Sequence, residues 1–139
     1  MKRTQFGWVF LGVIVIIFGF IIYQNQEFKT ILTLSALAIV LLLLFYKLTI
    51  SVTDENVKFS LGVGIIKGKY KLSDINYCKP LSYIPFGWGI RLRPGVILFN
   101  VSGNKAIELE IKNKNRKVWI GTNKPEEISQ YINSMKAKQ

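Results

Sequence analysis

FGWVFLGVIVIIFGFIIY, residues 6–23, and ILTLSALAIVLLLLFY, residues 31–46, decide how this chain is read. Apart from the terminal tyrosines, neither run holds an ionisable side chain. A helix rises about 1.5 Å per residue and a bilayer core is about 30 Å thick. The first run alone reaches about 27 Å by that rise, and the second reaches it once Phe28 and Leu48 are counted at its ends, so both are candidates for membrane spans. The intervening residues, Gln24 to Lys29, are too few for anything but a tight reversal, so the two predicted helices, about 6–23 and 30–46, form an antiparallel hairpin. Residues 1–47 are read as this transmembrane hairpin and residues 48–139 as one small domain hung from it. The first run starts behind Lys2 and Arg3 like a secretory leader. It is longer than a leader's apolar region, and no small-residue cleavage pattern follows it, so a membrane anchor is the expectation.

Working outward, the flanks set orientation. Lys2 and Arg3 precede the hairpin, Lys29 alone lies in its connection, and Lys47, Lys58, Lys67, Lys69 and Lys71 follow it. Cytoplasmic segments carry the excess of Lys and Arg, so both termini are expected in the cytoplasm. From Lys47 onward there are 16 Lys or Arg against 7 Asp or Glu, a net charge of +9. Such an excess beside a membrane points to the anionic cytoplasmic leaflet before nucleic acid. Within the spans no Asp, Glu, Lys or Arg occurs, which argues against an ion path or proton relay. Gly12 and Gly19 share a helix face, and Ser35, Ala36 and Ala38 are the small residues of the second run. They are read as the seam where the hairpin packs on itself, or alternatively as a seam for another membrane protein.

From Leu48 the apolar period changes to two. Leu48, Ile50 and Val52 alternate with polar residues, Asp54-Glu55-Asn56 turns, and Val57, Phe59 and Leu61 alternate again. This predicts a β-hairpin with one buried face. After Gly62-Val63-Gly64, Ile66, Tyr70 and Leu72 point inward and Lys67, Lys69 and Lys71 form an opposite stripe. Further strands are expected at 76–79, 96–101, 107–112 and 117–120, seven in all. Between them PLSYIPFGWGIRLRPG, residues 80–95, reads as irregular. A C-terminal helix is predicted from Asn123 as N-cap, Pro125 in the first turn and Glu126 three residues on, with Ile128, Tyr131, Ile132 and Met135 along one face.

Seven short strands closed by one amphipathic helix resemble the pleckstrin-homology-like (PH-like) fold. The stretch PFGWGIRLRPGVILFNVSGNKAIELEI followed by WIGTNKPEEI is similar to the bacterial PH-like domain family. The similarity runs over about residues 48–135 and is carried most by residues 85–91 and Gly121-Thr122. The fold class implied is α+β with a membrane part: a two-helix transmembrane hairpin followed by a PH-like seven-stranded β-sandwich with a C-terminal helix. The resemblance implies a bacterial inner-membrane location and a binding or scaffolding role, with no catalysis to carry over. Phosphoinositide-binding PH domains use a basic loop between the first two strands, and the acidic Asp54-Glu55-Asn56 turn departs from that pattern.

The function expected is a scaffolding or interaction module at the cytoplasmic face that binds a protein partner or a second copy of itself. The alternatives are an accessory subunit of a larger membrane complex and an anionic-lipid module. Tyr83, Phe86, Trp88, Arg91 and Arg93 form the candidate partner patch, because Trp, Tyr and Arg dominate interface hot spots. The same loop can instead be a lid that closes the domain. Lys67, Lys69 and Lys71 are the candidate lipid surface, or else a solvated strand face. No catalytic, cofactor or metal residues are assigned. Histidine is absent, Cys78 is the only cysteine, and Glu108 and Glu110 read as the polar side of an alternating strand. An enzyme, a cofactor and a nucleic-acid partner are not expected.

Overall fold

The computed structural model describes residues 1–24, 27–84 and 88–138. Among these residues there are three α-helices and nine strands, arranged as an α+β fold with two sheets. Strand β1 (Lys2–Phe6) leads into helix α1 (Trp8–Gln24), and helix α2 (Phe28–Phe45) returns into β2 (Lys47–Val52). Strands β3 (Asn56–Leu61) and β4 (Ile66–Lys71) complete an antiparallel four-stranded sheet in the order β1-β2-β3-β4, here called sheet A. A 3-10 turn at Leu72–Asp74 leads to β5 (Ile75–Ser82), β6 (Gly89–Arg93), β7 (Val96–Asn100), β8 (Lys105–Ile111) and β9 (Lys117–Gly121). These form sheet B in the order β5-β8-β9-β7-β6, antiparallel except for the β7–β9 pair. Helix α3 (Pro125–Ala137) follows.

Two strands exceed the seven expected. Strand β1 was read as a charged flank and, at Phe6, as the start of the first helix. Its pairing with β2, Lys2 opposite Ser51 through Phe6 opposite Lys47, is a long-range contact across the whole hairpin. No alternation in five residues announces it. Strand β6 lies in the stretch expected to be irregular, and Pro80 falls inside β5. β5 is an edge strand, where a missing N–H is tolerated. The expected capping box is not formed: Lys124 is the N-cap of α3 without a side-chain cap, and its own N–H donates to Thr122 Oγ1 at 3.2 Å.

The helical hairpin is thus inserted between two neighbouring strands of one sheet. Its base is stitched: the Gly7 N–H donates to Tyr46 O at 2.8 Å, and a Cβ on Gly7 would lie 2.9 Å from Val101 O and 3.1 Å from Phe45 O. The β3–β4 turn reaches up to the last turn of α2, where Val63 N–H donates to Leu43 O at 3.0 Å. That bond satisfies one of the carbonyls a helix end leaves unpaired. Only Ile14 is buried in α1 and nothing in α2, so both helices present apolar side chains on nearly all sides. α2 is long and apolar enough to cross a membrane by length and composition, whereas α1 is a shorter apolar helix of 17 residues. Gly12 and Gly19 have open space where a Cβ would stand, so they do not form the expected seam with α2.

One core fills the space between the sheets. Leu48, Ile50, Val57, Phe59 and Leu61 of sheet A meet Ile107, Leu109, Val118 and Ile120 of sheet B, and Ile128 and Ile132 of α3 close it. Phe59 stands 4.4 Å, ring to ring, from Phe99 across the sheets. A Cβ on Gly68 would lie 2.3 Å from the Phe59 ring, so only glycine leaves that ring its place over β4.

Candidate functional site

The residues expected to make a partner patch divide. Tyr83 is 9% exposed and packs its ring 5.9 Å from Trp119, in a small second core with Leu98 and Ala106. Burial raises its hydroxyl pKa to about 12. Trp88 is half-buried, and its ring stands edge-on to Phe10 of α1 at 6.2 Å. It joins the domain to the hairpin. Phe86 lies outside the described residues. Arg91 is exposed and Arg93 half-exposed, both on β6. Among the described residues β6 pairs on one side only, with β7, and is an edge strand of sheet B. Trp88, Ile90, Arg91, Leu92 and Arg93 line an open cavity of about 510 Å³ along that strand, and Leu92 is 71% exposed. The stretch therefore combines architecture, at Tyr83 and Trp88, with a free apolar and cationic strand edge at 90–93.

The lysine stripe is placed as expected, with Lys67, Lys69 and Lys71 exposed on β4. The register shows how much larger the basic surface is. On the outer face of sheet A, Lys2, Ser51, Lys58 and Lys69 are successive cross-strand neighbours, and Thr4, Thr49, Ser60 and Lys67 form the next row. Lys47 follows beside the hairpin, opposite Phe6. A cavity of about 710 Å³ runs over this face, lined by five lysines and no carboxylate. Lys2, Lys47 and Lys58 do not belong to the stripe read from sequence: Lys2 joins this face only through the pairing of β1 with β2 across the helical hairpin, and Lys47 and Lys58 join it through the register of β2, β3 and β4.

Sheet B carries a polar cluster that sequence reasoning missed. Glu108 lies on the polar side of its alternating strand, as its spacing predicts, yet it is 4% exposed. Its carboxylate accepts from Trp119 Nε1 at 2.6 Å and from Tyr77 OH at 2.7 Å, with Lys79 and Lys117 each at 3.3 Å. Burial pushes the carboxyl pKa up, but the four donors outweigh it and hold Glu108 below the ordinary carboxylate value. With both carboxylate oxygens engaged, Glu108 is held as a fixed structural knot. Cys78 is buried, and burial raises its thiol pKa to about 12, which leaves no thiolate for chemistry. Among the described residues no cluster of three or more His, Cys, Asp or Glu could hold a metal ion.

Comparison of the chain with family models, curated proteins and solved structures returns no match.

Proposed function

We infer that the hairpin resides in a bilayer, with both termini on the cytoplasmic side, and that the two-sheet domain is a PH-like interaction module held against the leaflet. Apolar side chains exposed around both helices support the membrane placement. Lys2, Arg3 and Lys47 at the hairpin base support the orientation. Two facing sheets closed by α3 support the PH-like reading, while β1, β6 and the parallel β7–β9 pair depart from the seven-strand pattern. The bacterial inner membrane is the location that goes with this reading.

The observation that carries the function is β6. An edge unpaired among the described residues, with Ile90 and Leu92 exposed on one face and Arg91 and Arg93 on the other, fits an added strand from a protein partner. Backbone hydrogen bonds would give affinity, and acidic side chains on the added strand would meet the arginines. The β1–β2 stitching fixes the domain to the hairpin, so a partner bound at β6 is held at a set distance from the membrane. The test is a photo-crosslinking residue at position 92, with position 114 as control, in intact membranes. A discrete adduct at 92 that disappears with Arg91→Glu is expected. Equal labelling at 92 and 114, insensitive to Arg91→Glu, would refute the partner surface.

A further inference from the structure

We propose that the outer face of sheet A binds the phosphate headgroup of an anionic phospholipid. The site rests on the hairpin being in a bilayer, and goes beyond the β4 stripe in being built from four strands. Its floor is hydroxyl-rich: Thr49, Ser51 and Ser60 line the groove and belong to the outer-face rows. Its walls are Lys2, Lys47, Lys58, Lys67 and Lys69, and no carboxylate lines the cavity. Hydroxyls and ammonium groups donate to phosphate oxygens, the lysines acting as point charges.

Two observations show that the face is not simply a solvated strand surface. Lys58 and Lys69 are direct cross-strand partners, and like charges placed so destabilise a sheet. None of the five lysines enters a salt bridge among the described residues. The like charges are thus concentrated on one face, with no salt-bridge partner among the described residues.

The second observation is position. The groove begins at Lys47, directly after α2, and includes Gly62, Val63 and Gly64 of the β3–β4 turn. The turn is bonded to Leu43, inside the last turn of α2, yet Val63 and Ile65 are exposed, Ile65 at 73%. With α2 in a bilayer, these two apolar side chains sit at leaflet depth, and Lys47 and Lys67 fall beside them at headgroup level. An apolar prong with lysines behind it fits a lipid surface better than a soluble anion or an acidic protein segment.

The experiment uses the full chain in nanodiscs of phosphatidylcholine with a minor fraction of labelled phosphatidylglycerol. Protein-associated phosphatidylglycerol is compared for the native chain, for Lys58→Gln with Lys69→Gln, and for Lys105→Gln with Lys112→Gln as a control pair outside the groove. Each lysine near an anionic headgroup contributes enough that removing two lowers the preference for phosphatidylglycerol roughly thirtyfold. The groove variant should be at least as thermostable as the native chain, since a like-charge pair is removed. Equal phosphatidylglycerol association in groove and control variants overturns the site. Displacement of the lipid by inorganic phosphate, or by a polyglutamate peptide, overturns it in favour of a free anion or an acidic protein. Carbonate extraction of cell membranes separates this failure from that of the anchor: release of the native chain into the soluble fraction overturns the hairpin reading, and the lipid site with it.

Discussion

Replacing Gly62 with alanine tests the joint between domain and hairpin at its tightest point. Gly62 has φ +54°, and an added Cβ would stand 2.0 Å from Leu43 O and 2.4 Å from Leu44 O. Both obstacles are backbone, so no side chain can rotate away, and the β3–β4 turn must lift from the helix end. Lifting breaks the Val63 N–H bond to Leu43 O and strains the Gly62 N–H bond to Lys47 O, 3.0 and 2.7 Å long. At about 1 kcal/mol for each hydrogen bond, plus about 1 kcal/mol for alanine at positive φ, the loss is about 3 kcal/mol. Gly64 supplies the control. Its φ of +95° is further from the left-handed minimum near +57°, but an added Cβ there meets nothing within 4 Å. Gly64→Ala therefore carries the conformational strain without the collision. Chemical or thermal unfolding of both variants in the same detergent should show Gly62→Ala clearly less stable than Gly64→Ala. Equal stability, or the reverse order, would show that the turn is not seated on α2 and would remove the rigid joint.

Glu108→Gln should destabilise the chain by about 2 kcal/mol, because charge-assisted hydrogen bonds from Trp119 and Tyr77 become neutral ones and both lysines lose their counter-charge; equilibrium unfolding at neutral pH measures it. Since the folded pKa of Glu108 is depressed, its contribution is fully present above the ordinary value of 4.5 and is lost as pH falls below it through the folded value. Acid titration of the native chain should thus show a stability loss in that window that Glu108→Gln lacks. Trp88→Ala should weaken the contact with Phe10 by about 1 kcal/mol and lower thermal stability, while leaving crosslinking at position 92 intact; loss of the crosslink without loss of stability would make Trp88 a partner anchor instead.

How much of this was legible follows the range of each signal. The buried positions of β2, β3, β8 and β9 were readable because alternation over five to seven residues reports one buried face. The apolar runs of α1 and α2 were readable because composition alone marks them. The placement of the expected site was legible only in parts: Arg91 and Arg93 lie on the edge strand β6, but Tyr83 turned out to be core. A local reading sees an aromatic among prolines and glycines and cannot see that Trp119 and Leu98 cover it. The surroundings of Glu108 were illegible for the same reason: its alternation with Ile107 and Leu109 places it on the polar side of β8, but only the fold shows that Tyr77 and Trp119 fill that face.

The sequence by itself determined the elements whose cause is local: two long apolar helices, short alternating strands, the acidic first turn, the basic excess and the amphipathic last helix. Only the tertiary structure decided what those elements meet. Strand β1 exists because β2 offers it a partner across the hairpin, and that pairing turns an appended anchor into an insertion within sheet A. The same pairing brings Lys2 into line with Lys58 and Lys69. Sheet register is a cooperative property of chain segments far apart, fixed by the fit of whole faces, and no single segment carries it.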